Sequence, residues 1–63
     1  MIFSGEDKEL DAIRFAQMTV ENTGAAHSVV AVSADELTVV PVAEAGARAL
    51  ETIWPVAIKG EWV

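Results

Sequence analysis

Two runs of β-branched residues, separated by only three positions, constrain the fold of this chain most. Residues 27–33 read HSVVAVS and residues 37–42 read LTVVPV. Runs of this composition favour strands, and a connection of three to five residues between two such runs is typical of a hairpin. Pro41 cannot donate an N–H to a sheet, so it belongs at an edge or at the end of its strand. We therefore expect the chain to be built around an antiparallel hairpin.

A helix is predicted before the hairpin. Ser4 is a favourable N-cap, and Asp7 lies three residues on, where its side chain can reach back in an arrangement like a capping box. The helix should run to about Asn22 and end at Gly24, the residue type that most often adopts the left-handed stop. Phe15 lies off the apolar stripe, so either the buried face is wide or Phe15 makes a second contact. The predicted apolar stripe consists of Leu10, Ile13, Ala16 and Val20.

The second half of the chain predicts a helix and a last strand. Residues 43–54 are rich in alanine and end before Pro55, although Gly46 weakens a helix by about 1 kcal/mol. Residues 56–59 are a further strand candidate, and residues 1–3 could form a short edge strand. The whole 63-residue chain is therefore expected to be a single α+β domain. It should have an antiparallel sheet of three to four strands, two helices and the order (β)αββαβ, as in ferredoxin-like folds.

Composition limits the functions that this chain can have. It has no cysteine, so disulfides and thiol chemistry are excluded, and 52% of its residues are apolar. It shows neither a signal-peptide pattern nor the apolar run of about 18 residues that a membrane helix needs. We expect a cytoplasmic protein. Ten acidic against four basic residues give a net charge of −6, which disfavours direct binding to nucleic acid or to anionic membranes. The balance favours a basic partner or no charged partner at all, and mutual repulsion favours a monomer.

Residues that could support catalysis are few. His27 is the single histidine, and we interpret it as a strand-start residue bonded to backbone or water rather than as a general base or a metal ligand. No glycine-rich loop or serine nucleophile motif is present. We therefore expect no enzyme, no cofactor and no metal. Trp54, at the end of the second predicted helix, is expected in the core, whereas Trp62 could close the core or touch a partner.

Acidic residues are the remaining functional signal, and the stretch SGEDKELD near the N-terminus is their densest run. Acids in a first helical turn are favoured by the helix dipole, by about 0.3–1 kcal/mol each. That effect does not account for Asp11, nor for the acids further along the chain. They serve either solubility or a basic partner. The candidate partner-binding residues are Glu6, Asp7, Glu9, Asp11, Glu21, Asp35, Glu36, Glu44 and Glu51.

The chain resembles a family of small phage-encoded proteins. Its short, acidic, cysteine-free α+β profile, beginning MIFSGEDKELDAIRFAQ, is similar to that of the anti-CRISPR proteins, in particular those directed against type I-C systems of Pseudomonas. The resemblance lies in the size, the charge and the order of elements. It implies inhibition of the multisubunit Cascade complex by protein–protein contact. Several such inhibitors present carboxylates as a DNA mimic to a basic groove.

A second interpretation of the same sequence stays open. The chain could be a small structural or regulatory module without enzymatic activity, either a homodimer or an antitoxin-like partner, whose acids serve only solubility. Salt distinguishes the two interpretations, because an electrostatic complex weakens steeply as ionic strength rises, whereas an apolar dimer does not.

Overall fold

Residues 1–55 are described here in a computed structural model of the chain. They form a four-stranded antiparallel sheet with two helices, which confirms the predicted α+β class. The predicted strand at residues 56–59 and Trp62 lie outside the described residues. The strands are β1 (Phe3–Ser4), β2 (His27–Ser33), β3 (Glu36–Pro41) and β4 (Glu51–Ile53); the helices are α1 (Lys8–Thr23) and the single turn α2 (Val42–Ala45), which continues into a 3-10 turn (Gly46–Arg48).

The predicted hairpin is present and forms the centre of the sheet. β2 and β3 pair antiparallel from His27 opposite Pro41 to Ser33 opposite Glu36. Pro41 is the last residue of β3, where the lack of an N–H removes no hydrogen bond from the middle of the strand. The register shifts between Ala31 and Ser33, so this part of β2 carries one residue more than its partner. Such a bulge bends the strand locally and increases its twist.

The sheet order is β1-β3-β2-β4. Since β1 and β2 each run antiparallel to β3, they are parallel to each other with β3 inserted between them, as in the first half of a ferredoxin-like fold. β4 then pairs with β2, with Ile53 opposite His27 and Glu51 opposite Val29. The short connection through α2 therefore places β4 beside β2 and not beside β1.

The first helix begins later than its sequence predicts. Ser4 is not an N-cap but a strand residue of β1, where it pairs with Glu36. Gly5 follows with φ +95°, a conformation that glycine adopts without strain, and this turn delays the helix. Asp7 is the N-cap but makes no side-chain capping bond, so the predicted capping-box arrangement is wrong. The predicted stop is confirmed, because Gly24 has φ 75° and its N–H bonds to the carbonyl of Val20, 2.7 Å away.

The core lies between α1 and one face of the sheet. Ala12 and Ala16 are completely buried and pack with Val29 of β2 and Leu37 of β3. Leu10, which the apolar stripe placed in the core, is 49% exposed. The buried face of α1 is therefore centred on small residues, which let the helix backbone approach the sheet closely. Of the two alternatives left open for Phe15, the second contact is present, with its ring centroid 5.6 Å from that of Phe3.

The prediction of a second helix over residues 43–54 is mostly wrong. Only Val42–Ala45 is α-helical, and Gly46 then takes φ 54° and ψ −135°, a backbone conformation that ends the helix. Residues 51–53 are β4 instead, because the β-branched Thr52 and Ile53 pair with β2 and bury part of their side chains. Trp54 follows this strand and is 65% exposed, so its predicted place in the core is also wrong.

Candidate protein-binding surface

One pairing contact brings two distant acidic segments of the chain to the same end of the sheet. Ser4 is the register partner of Glu36, and residues directly opposite in an antiparallel pair have Cβ atoms about 4.5–5.5 Å apart. Glu36 and Asp35 belong to the β2–β3 hairpin, whereas Glu6 and Asp7 follow Ser4 by two and three residues. These four acids therefore lie near one another although about 30 positions separate the two segments.

The first turn of α1 adds two more acids to this end. Glu9 and Asp11 are the second and fourth residues of the helix, and at a rise of 1.5 Å per residue Asp11 is only about 6 Å further along the axis than Asp7. We call the six residues together the acidic end. It consists of Glu6, Asp7, Glu9, Asp11, Asp35 and Glu36, of which all are exposed except the half-buried Glu36.

The carboxylates of the acidic end lie on both faces of the sheet at this end. Phe3 and Leu37 pack on the α1 side in the core, and successive residues of a strand point to opposite faces. Glu36 therefore points away from α1, where its Oε1 accepts a hydrogen bond from Ser33 Oγ at 3.1 Å. Glu6 and Asp7 lie on the side where α1 begins.

Three of the predicted partner-binding residues lie elsewhere. Glu21 is near the C-terminal end of α1, about 21 Å from Asp7 at the helical rise per residue. Glu44 is in α2, which follows Pro41 at the end of β3 opposite the hairpin turn. Glu51 is on β4, opposite Val29. The structure thus gathers six of the nine acids and separates three, so the nine do not form one continuous surface.

Two basic residues of the described part of the chain lie close in sequence to the acidic end. Lys8 is half-buried in the first turn of α1, and the exposed Arg14 follows Asp11 by three residues. Arg48 is bound far from it, where its guanidinium donates to the backbone carbonyl of Glu44 at 3.3 Å. The side chains at positions 44 and 48 have the spacing of a helical ion pair, but this bond goes to the main chain.

His27 begins β2 and contacts the backbone, as predicted for a residue at a strand start. Its Nδ1 lies 2.9 Å from the carbonyl oxygen of Ala25. This contact is a hydrogen bond in the tautomer that carries its proton on Nδ1. Among residues 1–55, no group of three or more His, Cys, Asp or Glu side chains is arranged to hold a metal ion. Within the same residues, no helix combines the length and apolar character needed to span a bilayer.

Exposed apolar side chains are the feature that sequence reasoning missed. Leu10 is 49% and Met18 is 59% exposed, and both lie on the outer side of α1. Leu50 and Trp54, which flank β4, are 61% and 65% exposed. One sequence signal could have located the outer side of α1. Ala12, Ala16 and Val20 form a regular i, i+4, i+8 row, and a helix that buries this row leaves the larger Leu10 outside the core.

The chain matches no protein-family model, no curated protein and no solved structure.

Proposed function

We propose that this chain inhibits a type I CRISPR–Cas Cascade complex by placing its acidic end on the basic surface that would otherwise hold target DNA. The observation that carries the proposal is the pairing of Ser4 with Glu36, which joins two acidic segments into one group of six carboxylates. The resemblance of the chain to anti-CRISPR proteins in size, charge and order of elements supports the choice of target. No chemical step is part of this role.

Electrostatics supports occlusion of a DNA site. Duplex DNA carries one negative charge per about 1.7 Å of its axis, and proteins meet these charges with clustered Lys and Arg. Carboxylates form charge-assisted hydrogen bonds with the same groups. Glu9, Asp11 and Glu36 belong to α1 and β3, and Glu6, Asp7 and Asp35 lie within two residues of these elements, so little conformational order needs to be gained on binding. Opposite charge also raises the rate of encounter.

The proposal is tested by competition with DNA. A purified type I-C Cascade complex would be titrated with the protein, and binding of its target duplex followed by electrophoretic mobility shift at several salt concentrations. We expect the protein to displace DNA and its own affinity for Cascade to fall steeply with rising salt. Normal DNA binding at saturating protein would contradict the proposal.

A homodimeric module without a CRISPR target is the second candidate, and one observation favours it. Leu50 and Trp54 are exposed on either side of β4, which is an edge strand among the described residues. Edge strands with apolar flanks can pair with another chain. A dimer that persists at high salt, together with no effect on Cascade, would support this alternative.

A further inference from the structure

The segment before α1 carries a helix-capping signal that the structure does not use. Ser4 is of a residue type favoured at N-caps, where its hydroxyl would accept a hydrogen bond from a free N–H of the first helical turn. It lies in β1 instead, opposite Glu36. The residue that does precede the helix, Asp7, makes no side-chain capping bond. The same segment therefore suits two conformations, the end of a strand and the start of a helix.

Gly5 marks the point at which these two conformations diverge. The N–H of Lys8 bonds to the carbonyl of Gly5 at 3.3 Å, and that of Asp11 bonds to the carbonyl of Asp7 at 2.9 Å. Bonds that span three and four residues are those of helical turns, so this pattern already reaches back to Gly5. Among residues 1–8, only Gly5 has a positive φ, of +95°. Its rotation into the right-handed helical region would let α1 begin at Gly5 with Ser4 as the N-cap.

Few contacts hold β1 in the sheet. The strand is two residues long, and β3 is its only neighbour among the described strands. The half-buried Phe3 adds the ring contact with Phe15, and Thr38 Oγ1 donates a hydrogen bond to the carbonyl of Met1. These contacts are lost together if β1 leaves β3, because they all belong to the first three residues of the chain.

Repulsion between the two acidic segments opposes the pairing of β1. The contact of Ser4 with Glu36 holds Glu6 and Asp7 near Asp35, and like charges at short range repel. Adding residues 5–7 to α1 would lengthen the helix by about 4.5 Å and draw Ser4 away from Glu36. Salt screens the repulsion, with a Debye length of about 10 Å at 0.1 M. Ionic strength therefore acts on the balance between the two conformations.

We propose that β1 is a detachable strand that assembles the acidic end. In a minor state of the folded protein, Ser4 leaves β3 and caps an α1 that begins at Gly5, and the two acidic segments separate. Salt favours the paired state, because it screens the repulsion that pairing creates. A condition that acts differently on two conformations shifts their populations. This equilibrium is a property of the chain alone and does not depend on the proposed function.

The substitution Gly5→Ala tests the proposal. An added Cβ would meet no described atom within 4 Å, so the change acts through the backbone. Alanine is strained at a positive φ and is a better helix former than glycine. Both effects favour the longer helix, and we expect the balance to shift toward it by about tenfold or more. Backbone chemical shifts of residues 5–7 should become more helical, and the nuclear Overhauser contacts between Phe3 and Phe15 should weaken.

The unmodified protein and a matched variant complete the test. Relaxation-dispersion NMR of the unmodified protein should detect exchange at residues 3–7 and at residues 36–37, with a minor population that falls as salt is raised. Ser4→Val should reduce that population, because valine is a poor N-cap and favours a strand. Unchanged shifts in Gly5→Ala, absence of exchange in the unmodified protein, a minor population that does not fall with salt, or undiminished exchange in Ser4→Val would each overturn the inference. Failure to displace DNA from Cascade would overturn only the proposed function.

Discussion

Ser4 lies directly opposite Glu36 in the antiparallel pairing of β1 with β3. This contact has two consequences for the molecule. It holds Ser4 in an extended strand, so that α1 begins only at Lys8, and it brings the acids that follow Ser4 to the hairpin turn that carries Asp35. A strand of only two residues thus determines where the negative charge of the protein is concentrated.

The backbone conformation of Gly46, which ends α2, can be tested by a single substitution. Gly46 has φ 54° and ψ −135°, and an added Cβ would meet no atom within 4 Å, so Gly46→Ala adds backbone strain without a clash. We expect a loss of about 1–3 kcal/mol in the free energy of unfolding. Gly24→Ala, in the ordinary left-handed region, is the control and should cost about 1–2 kcal/mol. Urea denaturation measures both, and an unchanged midpoint for Gly46→Ala would refute the conformation described.

A partly buried pair of hydroxyl groups joins the hairpin to β4. Ser28, which is completely buried, has its Oγ 2.8 Å from Oγ1 of Thr52, its register partner. Thr52→Val removes one partner and leaves the Ser28 hydroxyl unsatisfied, at a cost of about 1–3 kcal/mol. Adding Ser28→Ala to that variant should recover part of the loss, because no unpaired hydroxyl then remains. Chemical denaturation of the two single variants and the double variant measures the coupling, and strictly additive losses would argue against the bond.

The small residues on the buried side of α1 give a prediction about volume. Ala16 is completely buried against the sheet, so Ala16→Leu should overpack the core and lower the free energy of unfolding by about 1–3 kcal/mol. Leu10→Ala, on the exposed side of the same helix, should change it by only about 0.5 kcal/mol. Thermal unfolding followed by circular dichroism compares the two. A larger loss for Leu10→Ala than for Ala16→Leu would mean that the helix is rotated from the orientation described.

Oligomeric state is a separate prediction. A net charge of −6 makes copies of the chain repel. We expect a monomer at micromolar concentration by light scattering, at low and at moderate salt. A dimer that is unaffected by salt would instead favour pairing through β4 and its flanking Leu50 and Trp54.

The sequence predicted the central hairpin well, because its signals are local. The β-branched runs, the short connection and Pro41 at a strand end all depend on neighbours within a few residues. The stop of α1 at Gly24 is local in the same sense. The fold class follows from these elements together with the order in which they occur.

The errors arose where a distant contact overrides a local preference. Serine is a favourable N-cap residue, but the pairing of Ser4 with Glu36 places Ser4 in a strand instead. Residues 51–53 continue an alanine-rich stretch, yet hydrogen bonding to the exposed edge of β2 and burial of Ile53 favour a strand. Leu10 is the larger apolar residue, but close packing of α1 on the sheet selects Ala12 for the core.

The candidate surface could be predicted only in part for the same reason. Composition identified the acids as a group, but their separation into six at one end and three elsewhere depends on strand order. The hairpin turn and the start of α1 come together only because β1 pairs with β3. No spacing along the sequence predicts that contact.

The most direct test of the central claim compares two double charge reversals of equal magnitude. Asp7→Lys with Asp35→Lys alters both segments of the acidic end and leaves the bond between Ser33 and Glu36 in place. Glu21→Lys with Glu44→Lys makes the same change in net charge away from that end. Each variant is checked for folding by circular dichroism and then titrated into a type I-C Cascade complex in competition with target DNA. We predict that the first variant loses competition by at least tenfold relative to the second, because position as well as net charge determines binding; equal competition by the two folded variants would contradict the account.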